Sequence, residues 1–204
     1  MSKKIQINQE VYIAPKMLGK YENGQPIVID EKNNNTKLNP NILEDKIKIY
    51  EREVEEWFLK PTLKLLNDEN VFNNSFLILM TCMSYIEGVE QYKKGSTSNR
   101  NSKVFFISSM NEIFPNQFKE GNINKLYSDV RNGLFHNGMS KSSMIFNNTY
   151  IDALKFEDNG IIRINPTKFL KAISNDFSNY VQKLNDTQNT ELRSNFNNIF
   201  TVLT

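Results

Sequence analysis

The most apolar stretch of the chain is FLILMTCM, residues 76–83, and the expected architecture depends on it. It is apolar on all sides, which is typical of a helix buried at the centre of a protein. It is far too short to cross a bilayer, because a membrane-spanning helix needs about 20 consecutive apolar residues. We therefore expect a central buried helix that starts near residues 74–75.

Apolar residues recur at helical spacing on both sides of this stretch. Asn39-Pro40 is a plausible helix start, with a capping residue followed by a proline in the first turn. Pro61 should end or kink the helix that follows. These patterns predict about five main helices from residue 40 onward. Apart from the central helix, the apolar stripes lie at residues 47–58, 104–114, 123–134, 170–184 and 192–203.

Two regions carry signals for β-strands instead. Residues 1–39 contain short alternating apolar runs around Asn23-Gly24, a typical hairpin turn, and we expect a short N-terminal β arm there. Asn159-Gly160 predicts a hairpin near residues 145–165, inserted among the helices. The expected fold is mainly α: a bundle of about five main helices over residues 40–204, with this hairpin and the arm.

Composition limits the classes of function. With 204 residues the chain is expected to be one domain with a small appendage, and its net charge of +2 neither indicates nor excludes a nucleic-acid binder. Cys82 is the only cysteine, so an internal disulfide is impossible and a buried thiol is expected. One histidine and no cysteine cluster predict no metal site of the usual zinc type and no cofactor. The N-terminus lacks the apolar core of a signal peptide, so we expect a cytoplasmic protein without a membrane anchor.

Residues 126–138 concentrate the groups that could perform chemistry. They contain the only histidine, His136, five residues after Arg131, with Asn132 beside the arginine. An imidazole moves protons near neutral pH, a guanidinium holds phosphate, and an amide can orient either of them. The segment should be a helix that Gly138 ends with a left-handed cap. Asn132 and His136 then share a face, whereas Arg131 emerges about 140° away from His136.

This Arg-Asn-x-x-x-His pattern resembles the signature of the HEPN superfamily, helical domains named for higher eukaryotes and prokaryotes nucleotide-binding. The resemblance covers roughly residues 75–184: a buried helix ending near 85–87, an aromatic helix, and then the motif helix. It implies a helical bundle and a metal-independent endoribonuclease. In that role His136 is the general acid or base, Arg131 holds the phosphoryl oxygens, and Asn132 orients the histidine or the substrate. It also implies a homodimer that brings two motif helices to one cleft.

Other side chains are candidates for supporting roles. Glu87 could approach Arg131 if their helices pack side by side, although a solvent-facing or salt-bridged carboxylate is the simpler interpretation. Asp129 is a second candidate supporting carboxylate. A Gly/Ser/Asn-rich loop carries four cations that could contact RNA, although such loops are more often simply solvated. These cations are Lys93, Lys94, Arg100 and Lys103.

Two alternatives to an enzyme stay open. The chain could be a non-catalytic HEPN-like module that binds nucleotide, RNA or a protein partner, with the motif residues satisfying one another. It could also be a plain interaction module in which the motif is a coincidence. The partners considered are a second copy of the chain, RNA, and a protein antitoxin or regulator. The settings considered for the nuclease are phage defence and toxin–antitoxin systems.

Overall fold

The structure is a computed structural model that describes residues 3–7, 9–66, 71–138, 140–141 and 144–203. The chain divides into two compact units. The first unit comprises residues 1–61, 91–97 and 179–204, and the second comprises residues 62–90 and 98–178. Among the described residues no helix is both long and apolar enough to cross a membrane.

The described residues form six continuous helices and nine strands. Two of the helices are composite. The first, residues 43–65, consists of α1 (Leu43–Val54), a π-helical segment (Glu55–Leu59) and α2 (Lys60–Leu65), and the second, residues 120–137, consists of α5 (Glu120–Lys125), a second π-helical segment (Leu126–Arg131) and α6 (Asn132–Asn137). The other four are α3 (Val71–Lys94), α4 (Ser102–Ile113), α7 (Pro166–Asn185) and α8 (Thr190–Ile199). The strands are β1 (Lys3–Gln6), β2 (Val11–Ala14), β3 (Met17–Glu22), β4 (Gln25–Asp30), β5 (Thr36–Leu38), β6 (Met144–Phe146), β7 (Leu154–Phe156), β8 (Ile162–Ile164) and β9 (Phe200–Leu203).

The expected mainly-α bundle of about five helices is therefore wrong, and the fold is mixed α and β. The N-terminal strands are not a short arm, because β2, β3, β4 and β5 form a four-stranded antiparallel sheet. The expected hairpin is part of a three-stranded sheet of order β6-β8-β7, in which β6 runs parallel to β8. In addition, β1 pairs in parallel with β9 at the other end of the chain. The added pairings join distant segments, which local apolar spacing does not reveal.

The first unit contains the four-stranded sheet and an aromatic cluster. Asn23 and Gly24, with φ of 52° and 76°, form the turn between β3 and β4. The cluster packs Tyr50 of α1 against Tyr92 of α3 and Phe196 of α8, with ring centroids 4.6 and 5.3 Å away. These rings fill the core of the unit, together with Phe200 at the start of β9, which is fully buried.

The second unit holds most of α3, together with α4, the motif helix and the three-stranded sheet. The expected burial of α3 on all sides is wrong, because Leu77 is 54% exposed. Cys82 is completely buried in α3, as predicted, and burial raises the pKa of its thiol. In β8 the buried Ile162 and Ile164 alternate with the exposed Arg163, so one sheet face is core and the other faces solvent. Phe114 at the end of α4 packs on Phe169 of α7, with ring centroids 5.8 Å apart.

Pro61 does not end its helix, so the first of the two expected outcomes, an end or a kink, is wrong. The helix continues through residues 43–65, and the five residues before Lys60 adopt π-helical geometry. A proline inside an α-helix clashes with the carbonyl four residues earlier, and a wider turn relieves this crowding. The same segment leaves Trp57 and Phe58 about half exposed, although the apolar stripe predicted them to be core residues.

Candidate functional site

The motif lies on one continuous helix, residues 120–137, in the second unit. Its buried side is formed by apolar residues at helical spacing, as expected from the sequence: Ile123, Leu126, Val130 and Leu134 are each at most 3% exposed. Gly138 follows the helix with φ of 69°, which confirms the predicted left-handed cap. The π-helical segment Leu126–Arg131 was not predicted, and it ends at the motif arginine. Such segments are rare and occur frequently at functional sites.

Arg131 is held by two acceptors. Its Nε donates to Oε2 of Glu87 at 2.9 Å, and its Nη2 lies 2.7 Å from the same oxygen. Its Nη1 donates to Oδ1 of Asn132 at 3.1 Å. The Arg131 and Glu87 side chains are only 19% and 14% exposed, so water screens this ion pair weakly. A guanidinium carries five N–H groups, and the contacts with Glu87 and Asn132, both in the described part of the chain, use at most three of them.

Two aromatic rings flank the Arg131 guanidinium. Its Cζ lies 5.5 Å from the ring centroid of Tyr127 and 5.1 Å from that of Phe135, both within the range of a cation–π interaction. Tyr127 is also packed against Phe106 of α4. The apolar stripe at residues 123–134 includes Tyr127, which predicted it to be a core residue, and Phe135 lies outside the stripe. Their positions, four residues before and four after Arg131, are the signal that would have found them.

His136 does not take part in the contacts of Arg131. Its side chain is exposed in the last turn of α6, and among the described residues nothing is hydrogen-bonded or ion-paired to its ring. Within one chain the structure therefore joins Arg131, Asn132 and Glu87 by contacts and leaves His136 exposed on the same helix.

Asp129 belongs to a neighbouring set of contacts. Its Oδ1 accepts a hydrogen bond from Ser128 Oγ at 2.9 Å, and its Oδ2 lies 3.4 Å from Lys125 Nζ. Its backbone oxygen accepts from the backbone N–H of Lys141 at 2.8 Å, beyond the end of the helix. The Lys141 contact ties the segment after the motif to the motif helix, whereas the Ser128 and Lys125 contacts lie within that helix.

The four candidate RNA-contacting cations fall into two groups. Lys93 and Lys94 belong to the first unit, and Arg100 and Lys103 belong to the second unit with the motif. Lys93 is only 9% exposed, and its Nζ lies 5.7 Å from the ring centroid of Tyr180, so it is not a surface cation. Lys94, Arg100 and Lys103 are exposed. The structure thus keeps Arg100 and Lys103 as surface cations in the unit that carries Arg131.

Neither a cluster of metal-binding side chains among the described residues nor a similar known protein gives further information on the site. In the part of the chain that the structure describes, no group of three or more His, Cys, Asp or Glu residues is arranged to hold a metal ion. The chain matches no protein-family model, no curated protein and no solved structure. Membership of the HEPN superfamily therefore stays a prediction.

Proposed function

We propose that this protein is a metal-independent endoribonuclease that uses Arg131, Asn132 and His136. The observation that carries the proposal is that one helix presents both the contacts that hold Arg131 and, five residues later, an exposed His136. Glu87 and Asn132 fix the guanidinium, and the described residues leave two of its N–H groups for phosphate.

These residue types suit cleavage next to a 2′-hydroxyl. His136 removes the proton from the 2′-oxygen, which attacks the adjacent phosphorus and displaces the 5′-oxygen of the next nucleotide. The remaining Arg131 N–H groups bind the non-bridging oxygens, where negative charge increases in the transition state. The products carry a 2′,3′-cyclic phosphate and a free 5′-hydroxyl, once the leaving oxygen has gained a proton.

The lone histidine leads us to propose a homodimer. The reaction uses a base at the 2′-oxygen and an acid at the leaving oxygen, and each chain has one histidine. Within one chain, five helical steps of about 100° separate Arg131 from His136, so the two side chains leave the helix in directions about 140° apart. Two motif helices facing each other across a two-fold axis would supply both histidines to one phosphate, and such dimers are the commonest oligomers.

A specific observation favours a second candidate, a non-catalytic binding module. The ion pair with Glu87 already neutralises Arg131, and a structural arginine would have the same partners. In this alternative the exposed His136 and Phe135 contact RNA or a protein partner, and no bond is broken.

The test is RNA cleavage by purified protein in the presence of EDTA. We expect wild-type protein to cleave single-stranded RNA and His136→Ala to be slower by about 10²–10⁴-fold, the usual contribution of a general acid or base. Arg131→Lys should retain little cleavage activity, because the ammonium group of lysine cannot make the paired hydrogen bonds of a planar guanidinium. Lys171→Ala, at an exposed position of α7, is the matched control and should cleave normally. Equal cleavage by His136→Ala and wild type would refute the site, and RNA binding without cleavage by the wild type would favour the binding module.

A further inference from the structure

Phe135 is an exposed aromatic residue beside the arginine that holds phosphate in the proposed reaction. A single exposed apolar residue is ordinary on a protein surface, so the position of Phe135 matters more than its 43% exposure. Its ring centroid lies 5.1 Å from Cζ of Arg131, and the next residue in the chain is the exposed His136. Phe135 therefore lies on the short stretch of helix that carries both residues of the proposed chemistry.

Arg131 holds the Phe135 ring and leaves part of it open. The guanidinium, which is already fixed by its ion pair, lies over the ring at a cation–π distance. Among the described residues no other aromatic ring packs against Phe135. Tyr127 differs, because it contacts the same guanidinium but is half-buried and packed against Phe106. Of the two rings beside Arg131, Phe135 is the one that a ligand can cover.

The distance between ring and guanidinium suits a base and a phosphate of the same strand. A flat ring that stacks on the outer face of Phe135, about 3.5–4 Å above it, lies about 9 Å from Arg131 Cζ. A phosphate that accepts hydrogen bonds from the guanidinium lies nearer to Cζ. One sugar bridges the remaining distance, so a single nucleotide of an RNA strand can reach both groups.

Stacking on this ring gives the site a means to select bases. Arg131 and His136 act on phosphate and ribose, which every nucleotide has, so neither residue distinguishes one base from another. Every base has a π face and stacks on an aromatic ring, and a purine offers the larger face. A base inside an RNA duplex is already stacked and paired, so this contact requires unpaired RNA.

We propose that Phe135 is the specificity-determining residue of the proposed nuclease: it stacks on a base next to the scissile phosphate and makes the protein cut beside unpaired purines. This inference rests on the proposed function, because Arg131 and His136 define where the phosphate lies and which bond breaks. It adds a preference among bases, which the cleavage chemistry alone does not supply.

The test compares kcat/KM of the full chain on matched oligonucleotides in which each base flanking the cut is in turn a purine, a pyrimidine or absent. At one of the two positions wild-type protein should cleave the purine substrate faster than the abasic one by about 5–150-fold, the usual contribution of one stacked base. A pyrimidine there should give an intermediate rate. Phe135→Leu should cleave the purine substrate as slowly as the abasic one, and its rate on the abasic substrate should equal that of the wild type. Phe135→Trp should keep the preference for purines.

Leu77→Ala is the matched control for the loss of an exposed apolar side chain. Leu77 is 54% exposed in the same unit, ten residues before Glu87 on α3, so it lies about 15 Å along the helix from the ion pair. Its substitution should leave the preference for purines unchanged. The proposal is overturned if Phe135→Leu loses activity equally on purine and abasic substrates, because the ring then only supports Arg131. It is also overturned if light scattering shows that Phe135→Leu dissociates a wild-type homodimer, because the ring then belongs to a contact between two copies.

A binding measurement separates this inference from the proposed function. The same oligonucleotides with a 2′-O-methyl group at the cut cannot be cleaved by the proposed chemistry, and their affinities report the base contact alone. If wild-type protein cleaves no substrate, the proposed function fails, and tighter binding of the purine than of the abasic oligonucleotide, lost in Phe135→Leu, still supports stacking on Phe135. If the protein cleaves RNA but neither cleavage nor binding depends on the flanking bases, the proposed function stands and the role of Phe135 is overturned.

Discussion

Arg131 and Glu87 form an ion pair between the motif helix and α3, with Nη2 2.7 Å from Oε2. The two residues are 44 positions apart in the sequence, and both side chains are largely buried. The pair therefore links the central helix of the second unit to the motif. It also fixes the position of the guanidinium before any ligand arrives, which a phosphate-binding group in a catalytic site requires.

Removing the Glu87 carboxylate should destabilise the protein and impair the site. In Glu87→Ala the largely buried Arg131 loses its counter-ion, and we expect the free energy of unfolding to fall by about 1–3 kcal/mol. Glu87→Gln keeps a hydrogen-bond acceptor, so it should lose less stability and retain more RNA cleavage than Glu87→Ala. Urea denaturation measures the stabilities. Asp158→Ala removes an exposed carboxylate in a turn and serves as the control, with a change within about 0.5 kcal/mol. Equal stability of Glu87→Ala and the control would mean that the ion pair contributes nothing.

Gly95 should tolerate no side chain. Its φ is 64°, and an added Cβ would lie 2.8 Å from the backbone Cα of Asn195. Gly24→Ala provides the matched comparison, because its φ is 76° and nothing lies within 4 Å of the added Cβ. We expect Gly24→Ala to lose about 1–2 kcal/mol from backbone strain alone. Gly95→Ala should lose at least about 1 kcal/mol more, because the clash adds to the strain. Equal losses in chemical denaturation would contradict the close approach of Asn195.

Glu56 should make the stability depend on acidic pH. Hydrogen bonds from Lys32 Nζ and Lys60 Nζ, at 2.8 and 2.9 Å, lower the pKa of this carboxyl from 4.5 to about 2. A pKa that is lower in the folded state stabilises the fold above the unfolded value, and this stabilisation is lost as the pH falls from about 4.5 towards 2. Glu56→Gln should therefore be less stable than the wild type at pH 6, and the difference should shrink towards pH 2.5. A difference that stays constant across urea denaturations at these pH values would contradict this role of Glu56.

The sequence revealed individual elements of the fold better than their assembly. Apolar stripes correctly indicated helices around residues 76–83 and 170–184, because each needs only a local face to bury. Asn23-Gly24 and Asn159-Gly160 marked their turns. Asn23, Gly24 and Gly160 have positive φ, which favours asparagine and glycine. The pairing of β1 with β9 joins opposite ends of the chain, and β6 has only three residues. No local pattern encodes such distant or short pairings, and this is why the fold class was wrong.

For the candidate site, too, the sequence revealed local spacing but not the contacts between distant residues. The spacing of Arg131, Asn132 and His136 was visible in the sequence, and Glu87 was a possible neighbour of Arg131 from the expected helix order. The π-helical segment has no recognised sequence signal here, and the ring contacts of Tyr127 and Phe135 required the structure. The structure adds that His136 is exposed, while the predicted angle between Arg131 and His136 stays a prediction.

The most direct test of the proposed chemistry uses a DNA oligonucleotide that contains one ribonucleotide, incubated with the protein in EDTA. If His136 activates a 2′-hydroxyl, wild-type protein will cut only after the ribonucleotide and leave a 2′,3′-cyclic phosphate. A 2′-O-methyl group at that position will stop cleavage, and His136→Ala will be slower by about 10²–10⁴-fold. Cutting elsewhere in the DNA, cutting of the methylated substrate, or equal cutting by His136→Ala would contradict the proposed mechanism.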